Sequence, residues 1–316
     1  MPCVTFIANG TLAKAGGRFL SLCRASAAGG GWTPDLVVTG KAADGVAAAR
    51  KAAENGADLV VAAGGDGTVR GCAEGLADTG IPLGIVPLGT ANLLARTLGI
   101  PADPRAALAV ALGSREDRRI DIATADGALF TAMAGMGLDA AVVAATKLKH
   151  HLGWFAYAMS GVAHIAVPPA RFSIRMDGGP PVEREAKCVV VGNSGLLPGG
   201  FTVLPQARID DGLLDIGVLA PRGLLGWPRV ATRVLTHSRH QDRQLERFQA
   251  RTVEITAHAV LPREVDGEVV SPGRTLTVAV RPGALTVRVP AGSSPKSSTR
   301  GCRSSTCSRN PPRTGT

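Results

Sequence analysis

The residues of this 316-residue chain best suited to chemistry sit in short glycine-bearing turns. Leu59 to Ala63 reads as a buried parallel strand that empties into Gly64-Gly65-Asp66-Gly67-Thr68, and Val69 to Ala77 reads as a helix. Glycines there let the backbone approach a ligand closely, and the first turn of a helix offers unpaired N–H groups to an anion. Asp66 would repel a bare phosphate, so a divalent cation between the two is the chemistry this cradle suggests. The same residues also read as a tight strand-to-helix turn capped by Asp66. Further along, Pro87-Leu88-Gly89-Thr90-Ala91-Asn92 forms a second glycine turn. Asp210-Asp211-Gly212 places carboxylates at a strand start, where a hard cation could be held or where a plain Asp-Gly turn suffices. Val265-Asp266-Gly267-Glu268 sets two acids two residues apart, as a base and a supporting acid or as a hairpin turn.

Elements must bring these turns together. Val4 to Ala8, Leu36 to Val38, Leu59 to Ala63 and Ile81 to Val86 read as strands alternating with helices up to Ala28, over Ala42 to Asn55, after Thr68 and over Leu93 to Leu98. That alternation implies a parallel sheet with right-handed crossovers, whose strand C-termini form the ligand edge. Thr39, Asp66 and Thr90 all fall on this edge. From about Arg119 the texture changes to short strand-like runs separated by turns: Ile120 to Ala123, Phe130 to Ala134, Phe172 to Met176, Cys188 to Gly192, Leu214 to Leu219, Val253 to Ala257, Leu276 to Val280 and Leu285 to Val289. Helical insertions are expected over Ala140 to Ile165 and Leu224 to Leu235. A basic connector follows with Arg239, Arg243, Arg247 and Arg251, read as a solvated face or, with Leu224, Leu225 and Trp227, as a membrane-facing edge.

Composition narrows the class. At 45% hydrophobic residues the chain can bury sizeable cores, and its length suits two domains. No apolar run reaches membrane-spanning length and the N-terminus does not resemble a secretory signal, so a cytoplasmic protein is expected. The six cysteines show no ligand spacing, which argues against structural zinc. Of the net charge of +10, half comes from the Ser/Pro/Arg-rich tail Ala291 to Thr316, which carries Lys296, Arg300, Arg303, Arg309 and Arg313 and no acid. Without the tail the body is only mildly basic, which suits a phosphorylated ligand or an anionic membrane surface and makes nucleic acid a weaker expectation.

Taken together and in this order, Gly64-Gly65-Asp66-Gly67-Thr68, Pro87-Leu88-Gly89-Thr90-Ala91-Asn92, Asp211-Gly212 and Val265-Asp266-Gly267-Glu268 resemble the bacterial soluble diacylglycerol kinase family and its relatives, the sphingosine kinases. The resemblance runs from Val4 to about Val289, with secondary similarity at Ala134 to Asp139, Tyr157, Gly192-Asn193 and Gly199-Gly200. It implies an N-terminal NAD-kinase-like (Rossmann-like) three-layer α/β domain over residues 1–118, a C-terminal β-sandwich domain over 119–290, and a disordered basic tail over 291–316. ATP and Mg2+ are the implied cofactors, and a lipid alcohol such as diacylglycerol the implied acceptor, met peripherally at the inner, anionic membrane face; a homodimer is compatible with it. By position, Asn9, Thr39, Gly64, Gly65, Gly67, Thr68, Gly89, Thr90 and Asn92 would line the ATP site, with Lys14 near the phosphates. Asp266 would be the general base, Glu268 its supporting acid, and Asp66, with Asp121, would steady the catalytic Mg2+ through water. Asp211, with the carbonyls of Arg208 and Leu213, would hold a structural Mg2+. Two departures stand out: Asn92 is followed by Leu93 where the family often has an acid, and Asn9 by Gly10 where it has proline. Kinases for a sphingoid base or NAD, and a nucleotide-binding regulator without turnover, are the competing readings.

Overall fold

The computed structural model describes residues 1–10, 17–40, 42–137, 168–195, 204–221, 232 and 244–292. Lys14, Asp139, Tyr157, Gly199, Gly200, Leu224, Leu225, Trp227, Arg239, Arg243 and the insertions expected over 140–165 and 224–235 lie outside them, as does all of the tail beyond Gly292.

The first half alternates strands and helices: β1 (Cys3–Asn9), α1 (Gly17–Gly29), β2 (Thr33–Thr39), α2 (Ala42–Glu54), β3 (Leu59–Gly64), α3 (Asp66–Leu76) and β4 (Leu83–Pro87). The short α4 (Leu93–Thr97) and α5 (Pro104–Gly113) follow. The strands are parallel in the order β2-β1-β3-β4. β3 and β4 are buried along their whole length, as continuous apolar runs covered on both faces require. Helices α2 and α3 pack together on one face while α1 and α5 pack together on the other, giving three layers. No element is expected over α5, yet Asp103-Pro104 opens it as a capped start: the Asp103 carboxylate accepts the Ala106 N–H at 2.8 Å, with proline in the first turn.

The second half is β-rich: β5 (Asp117–Ala125), β6 (Ala128–Phe130), β7 (Met133–Met136), β8 (Ala170–Met176), β9 (Val182–Ala186), β10 (Cys188–Gly192), β11 (Leu214–Leu219), β12 (Leu245–Ala250), β13 (Thr252–Val265) and β14 (Glu268–Arg288). The runs expected at Val253 to Ala257 and Leu276 to Val280 are parts of two long strands. β13 pairs with β8 through Val253 to Ala257 and with β7 through Arg263 to Val265, so it serves both sheets of a sandwich. It turns between them at a register shift beside Pro262, where a proline is tolerated because the ladder is already broken. Phe130, Phe172, Ile174, Val191, Ile216, Val253 and Leu276 fill the space between the sheets.

Two expectations change. The boundary at residue 118 does not part the cores: Ile120, Ile122 and Leu129, together with Ala284, Leu285, Val287 and Val289, pack into the N-terminal core. The reason is that the end of β14 returns to pair with β4, at Val287 and Leu83, and β5 runs antiparallel beside it. The chain therefore passes between cores within strands, with no linker. In addition, the stretch read as the end of a basic connector is the edge strand β12, where Glu246 pairs with Arg184 at 2.9 Å and Arg247 is half-buried.

Candidate active site

The sheet order reverses between β1 and β3: from β1 the chain moves outward to β2 and then back past β1 to β3 and β4. A crevice opens at the strand C-termini at such a switch point. Asn9 and Thr39 end their strands side by side, and Gly64 lies opposite Pro87. Two glycine turns then meet back to back. A Cβ on Gly89 would lie 2.5 Å from the Gly65 Cα, and one on Gly64 would lie 2.4 Å from the Thr68 Oγ1, so these positions exclude any side chain. Gly67, by contrast, faces open space in the first turn of α3, where a phosphate could approach N–H groups the helix leaves unpaired. We expect Gly89→Ala to force the two turns apart at backbone level and to lower stability by about 1–3 kcal/mol, read as a drop in thermal midpoint of the full chain.

Asp66 is not a cap for its own helix. Its carboxylate reaches across to the second turn, accepting the Asn92 N–H at 2.9 Å and the Leu93 N–H at 2.6 Å. Asn92 adopts φ 46° and closes its turn by hydrogen bonds with Gly89 at both its amide oxygen and its amide nitrogen. Burial pushes the Asp66 carboxyl above its ordinary range, while the Leu93 and Asn92 N–H groups and Arg70 pull the other way. Thr39 is buried and Thr90 exposed at the mouth of the crevice.

Asp266 lies on the partner domain. Asp266 and Gly267 both have positive φ, 49° and 80°, between the paired residues Val265 and Glu268. This is the two-residue hairpin an Asp-Gly pair favours. The Asp266 carboxylate is held by backbone N–H groups of Thr131 (3.0 Å), Ala132 (2.8 Å) and Met133 (3.2 Å), with the Thr131 hydroxyl at a long 3.4 Å. Thr131 and Ala132 form the break between β6 and β7, where the sequence suggests one uninterrupted strand. Burial pushes the Asp266 carboxyl up; the three N–H groups and nearby Arg70 oppose that shift. Glu268 is an exposed side chain whose carboxylate accepts from the Nη2 of Arg70 at 2.8 Å.

Arg70 is the residue sequence reasoning missed. It stands four positions after Asp66 on α3, which puts both on one helix face, and it interacts electrostatically with Asp66, Asp266 and Glu268 together. The spacing was the available signal. Asn193, singled out in the sequence only by similarity, is fully buried and donates through Nδ2 to the carbonyls of Asp121 (2.9 Å) and Thr131 (3.3 Å), tying the loop that holds Asp266 to β5.

The third acidic turn is separate. Asp121 is buried, and its two oxygens accept the N–H groups of Gly212 and Gly283, each at 2.7 Å. Its backbone N–H also donates to the Ile209 carbonyl at 2.7 Å, so Asp121 ties β5 to the 208–213 turn as well as to β14. Each Asp121 oxygen accepts one N–H where β5, β14 and the 208–213 turn meet, as each Asp66 oxygen does in its own turn, which leaves lone pairs on both carboxylates. Asp211 accepts the Leu213 N–H at 3.1 Å, and its carboxyl is raised by burial and by Asp121 and Asp210. The Arg208 side chain turns toward Asp210, which pairs with Arg118 at 2.7 Å. Asp215 is buried, with its Oδ2 unpartnered among the described residues, and burial followed by the Asp211 charge pushes its pKa to about 6. Among the described residues no three His, Cys, Asp or Glu side chains come together as a metal site, in this turn or elsewhere.

The diacylglycerol kinase catalytic domain model matches residues 4–125, and the YegS C-terminal NAD kinase beta sandwich-like domain model matches residues 132–289. The chain belongs to the diacylglycerol kinase catalytic-domain family. Within that family it is 36% identical to the "Probable lipid kinase YegS-like" of Pseudomonas fluorescens over 82% of this chain and 87% of the relative. It is 38% identical to the protein of the same name from Pseudomonas aeruginosa, over 74% and 77%. The crystal structure of a diacylglycerol kinase from Bacillus anthracis superposes with a TM-score of 0.70 at 25% identity, over 91% of this chain and 97% of that one. An NAD kinase from Archaeoglobus fulgidus, solved with ATP, shares the fold at TM-score 0.52 and 12% identity, over 92% and 95%.

Proposed function

We propose that this family member is an ATP-dependent lipid kinase that moves the γ-phosphoryl group of ATP to the hydroxyl of diacylglycerol or a related lipid alcohol. The observation that carries this reading is the Arg70–Glu268 ion pair. It joins the helix that begins at the glycine cradle to the hairpin that bears Asp266, so a phosphate donor held by the cradle and a base at Asp266 would face one crevice. Phosphoryl transfer needs chiefly positioning and neutralisation of charge, which a glycine cradle supplies for the phosphates of ATP. Asn9, Thr39, Gly64, Gly65, Gly67, Thr68, Gly89, Thr90 and Asn92 would line that site.

An alcohol is a weak nucleophile, and Asp266 fits the role of base. Three N–H groups fix its carboxylate, while the long contact from the Thr131 hydroxyl leaves capacity on Oδ2 for a substrate hydroxyl. Asp266 takes the proton as the alcohol oxygen bonds to the γ-phosphorus. The bond from that phosphorus to the β–γ bridging oxygen breaks, and ADP leaves with the electron pair. Asp211 would hold a separate, structural Mg2+, and Asp66 would hold the catalytic one through water because each of its oxygens already accepts one N–H. Bound there, the ion would neutralise phosphate charge.

No helix among the described residues is long and apolar enough to cross a membrane. The kinase would meet its lipid from the cytoplasmic, anionic face of the bilayer, toward which a mildly basic body is drawn. The test is direct: full-length protein, labelled ATP, Mg2+ and a panel of lipid alcohols in mixed micelles, with NAD as a competing acceptor. Label in a lipid product is expected; label only in NAD phosphate, or in no product, would overturn the reading.

A further inference from the structure

Along α3, Asp66, Arg70 and Glu74 stand four residues apart and so share one helix face. From its place between the two acids, Arg70 reaches across to the hairpin, where its Nη2 donates to Glu268 at 2.8 Å. Val265 and Glu268 are the paired residues that flank Asp266 and Gly267, and both line one cavity with Arg70 and Glu74. A single guanidinium, 18% exposed, thus interacts with carboxylates from both halves of the molecule: Asp66 and Glu74 on its own helix, Asp266 and Glu268 on the hairpin.

Asp266 needs such a neighbour. A base must be ionised to take a proton, and a carboxylate withdrawn from water favours its neutral form. The β6–β7 break gives Asp266 three N–H groups and the Thr131 hydroxyl, which direct the carboxylate but carry no net charge. Its own hairpin adds two further carboxyl groups, Glu268 and the buried Glu264, which accepts the Gly267 N–H at 2.9 Å. Negative charge on either opposes a third. Arg263 of β13 pairs with Asp126 of the β5–β6 turn. From α3 come Glu74 and Arg70, and the Arg70 charge, which is permanent, acts on Asp266.

We propose that Arg70 is a positioning residue for phosphoryl transfer: anchored on Glu268, its fixed charge is the counter-ion of the base at Asp266. This rests on the kinase reading given above. The ion pair with Glu268 then has two effects. It holds the guanidinium beside the hairpin, and it cancels part of the field that Asp266 would otherwise feel.

The experiment records kcat/KM against pH for the full-length protein at saturating ATP and Mg2+, with diacylglycerol in mixed micelles or whichever alcohol of the panel above is turned over fastest. Arg70→Gln keeps a donor for Glu268 and loses the charge, so Asp266 should hold its proton to higher pH and the acid limb should move up. At a pH on that limb the variant is expected to run about three- to tenfold slower than wild type, each scaled to its own plateau. Glu268→Gln keeps an acceptor for Arg70 and removes a negative charge, so its limb should move to lower pH. Arg70→Lys, which keeps the charge, should stay near the wild-type limb. A general structural loss would lower the plateau and leave the limb in place. ATP titrates alike in every protein, so differences between limbs belong to the protein. An acid limb that Arg70→Gln leaves in place or moves down, or that Glu268→Gln moves up, overturns the proposal and leaves the kinase reading standing. If Arg70→Gln does not fold, Glu268→Gln decides alone, and only a downward shift supports the proposal. If no lipid is phosphorylated, both fall.

Discussion

Asp266→Asn should lower kcat for lipid phosphorylation by about 10²- to 10⁴-fold, the usual contribution of a positioned base, while nucleotide affinity stays within about twofold. The two readouts separate because the base and the cradle sit on different domains. Asparagine tolerates the positive φ of 49° at this position, so the hairpin can persist. It cannot reproduce the carboxylate's hydrogen bonds. The Asp266 oxygens accept from the N–H groups of Thr131 on one side and of Ala132 and Met133 on the other, so an amide must turn its NH2 toward one set of donors. A lower thermal midpoint should accompany the loss of turnover. Rate measurements under saturating ATP and lipid, with ATP binding measured by calorimetry, check this. If kcat drops by less than tenfold, Asp266 is not the base.

Much of this arrangement can be read from the chain because local chemistry and tertiary role coincide. Leu59 to Gly64 is apolar throughout, as a doubly covered strand must be, and Asp266-Gly267 is the dipeptide that a two-residue hairpin requires. What escapes the sequence depends on the other half of each contact. Strand β9 (Val182–Ala186) carries two glutamates and an arginine in five residues, and only its pairing with β8 makes it a strand. Phe130 to Ala134 looks continuous, and its break at Thr131 and Ala132 follows from the demand of a carboxylate 135 residues away. Asp121 reads only as an acid beside a metal, because nothing local shows that its oxygens also accept the Gly212 and Gly283 N–H groups. Arg70 looks like a solvated helix residue because its partner, Glu268, is separated from it by 198 positions. Leu93, noted for standing where an acid is common, is itself buried, and its N–H contacts Asp66. The backbone at that position, more than its side chain, belongs to the site.

Asp66→Ala should be more damaging than its half-exposed position suggests, with kcat/KM for ATP reduced by at least about 10³-fold. Two losses combine. The Asn92 and Leu93 N–H groups, both partly buried, would lose their acceptor, which costs about 1–3 kcal/mol and frees the second glycine turn from the first. The carboxylate that would steady a hydrated Mg2+ also disappears, and removing charge stabilisation of that kind contributes several kcal/mol at the transition state. Asp66→Asn separates the two effects. Its amide oxygen can still accept one of the two N–H groups, so it should recover part of the thermal midpoint but little of the activity. Calorimetric titration of ATP at several Mg2+ concentrations reads the second effect without turnover. Wild-type affinity should rise with Mg2+, whereas the affinity of both variants should respond weakly. An identical Mg2+ dependence in all three proteins would make Asp66 a clamp between two turns and leave the metal to other residues.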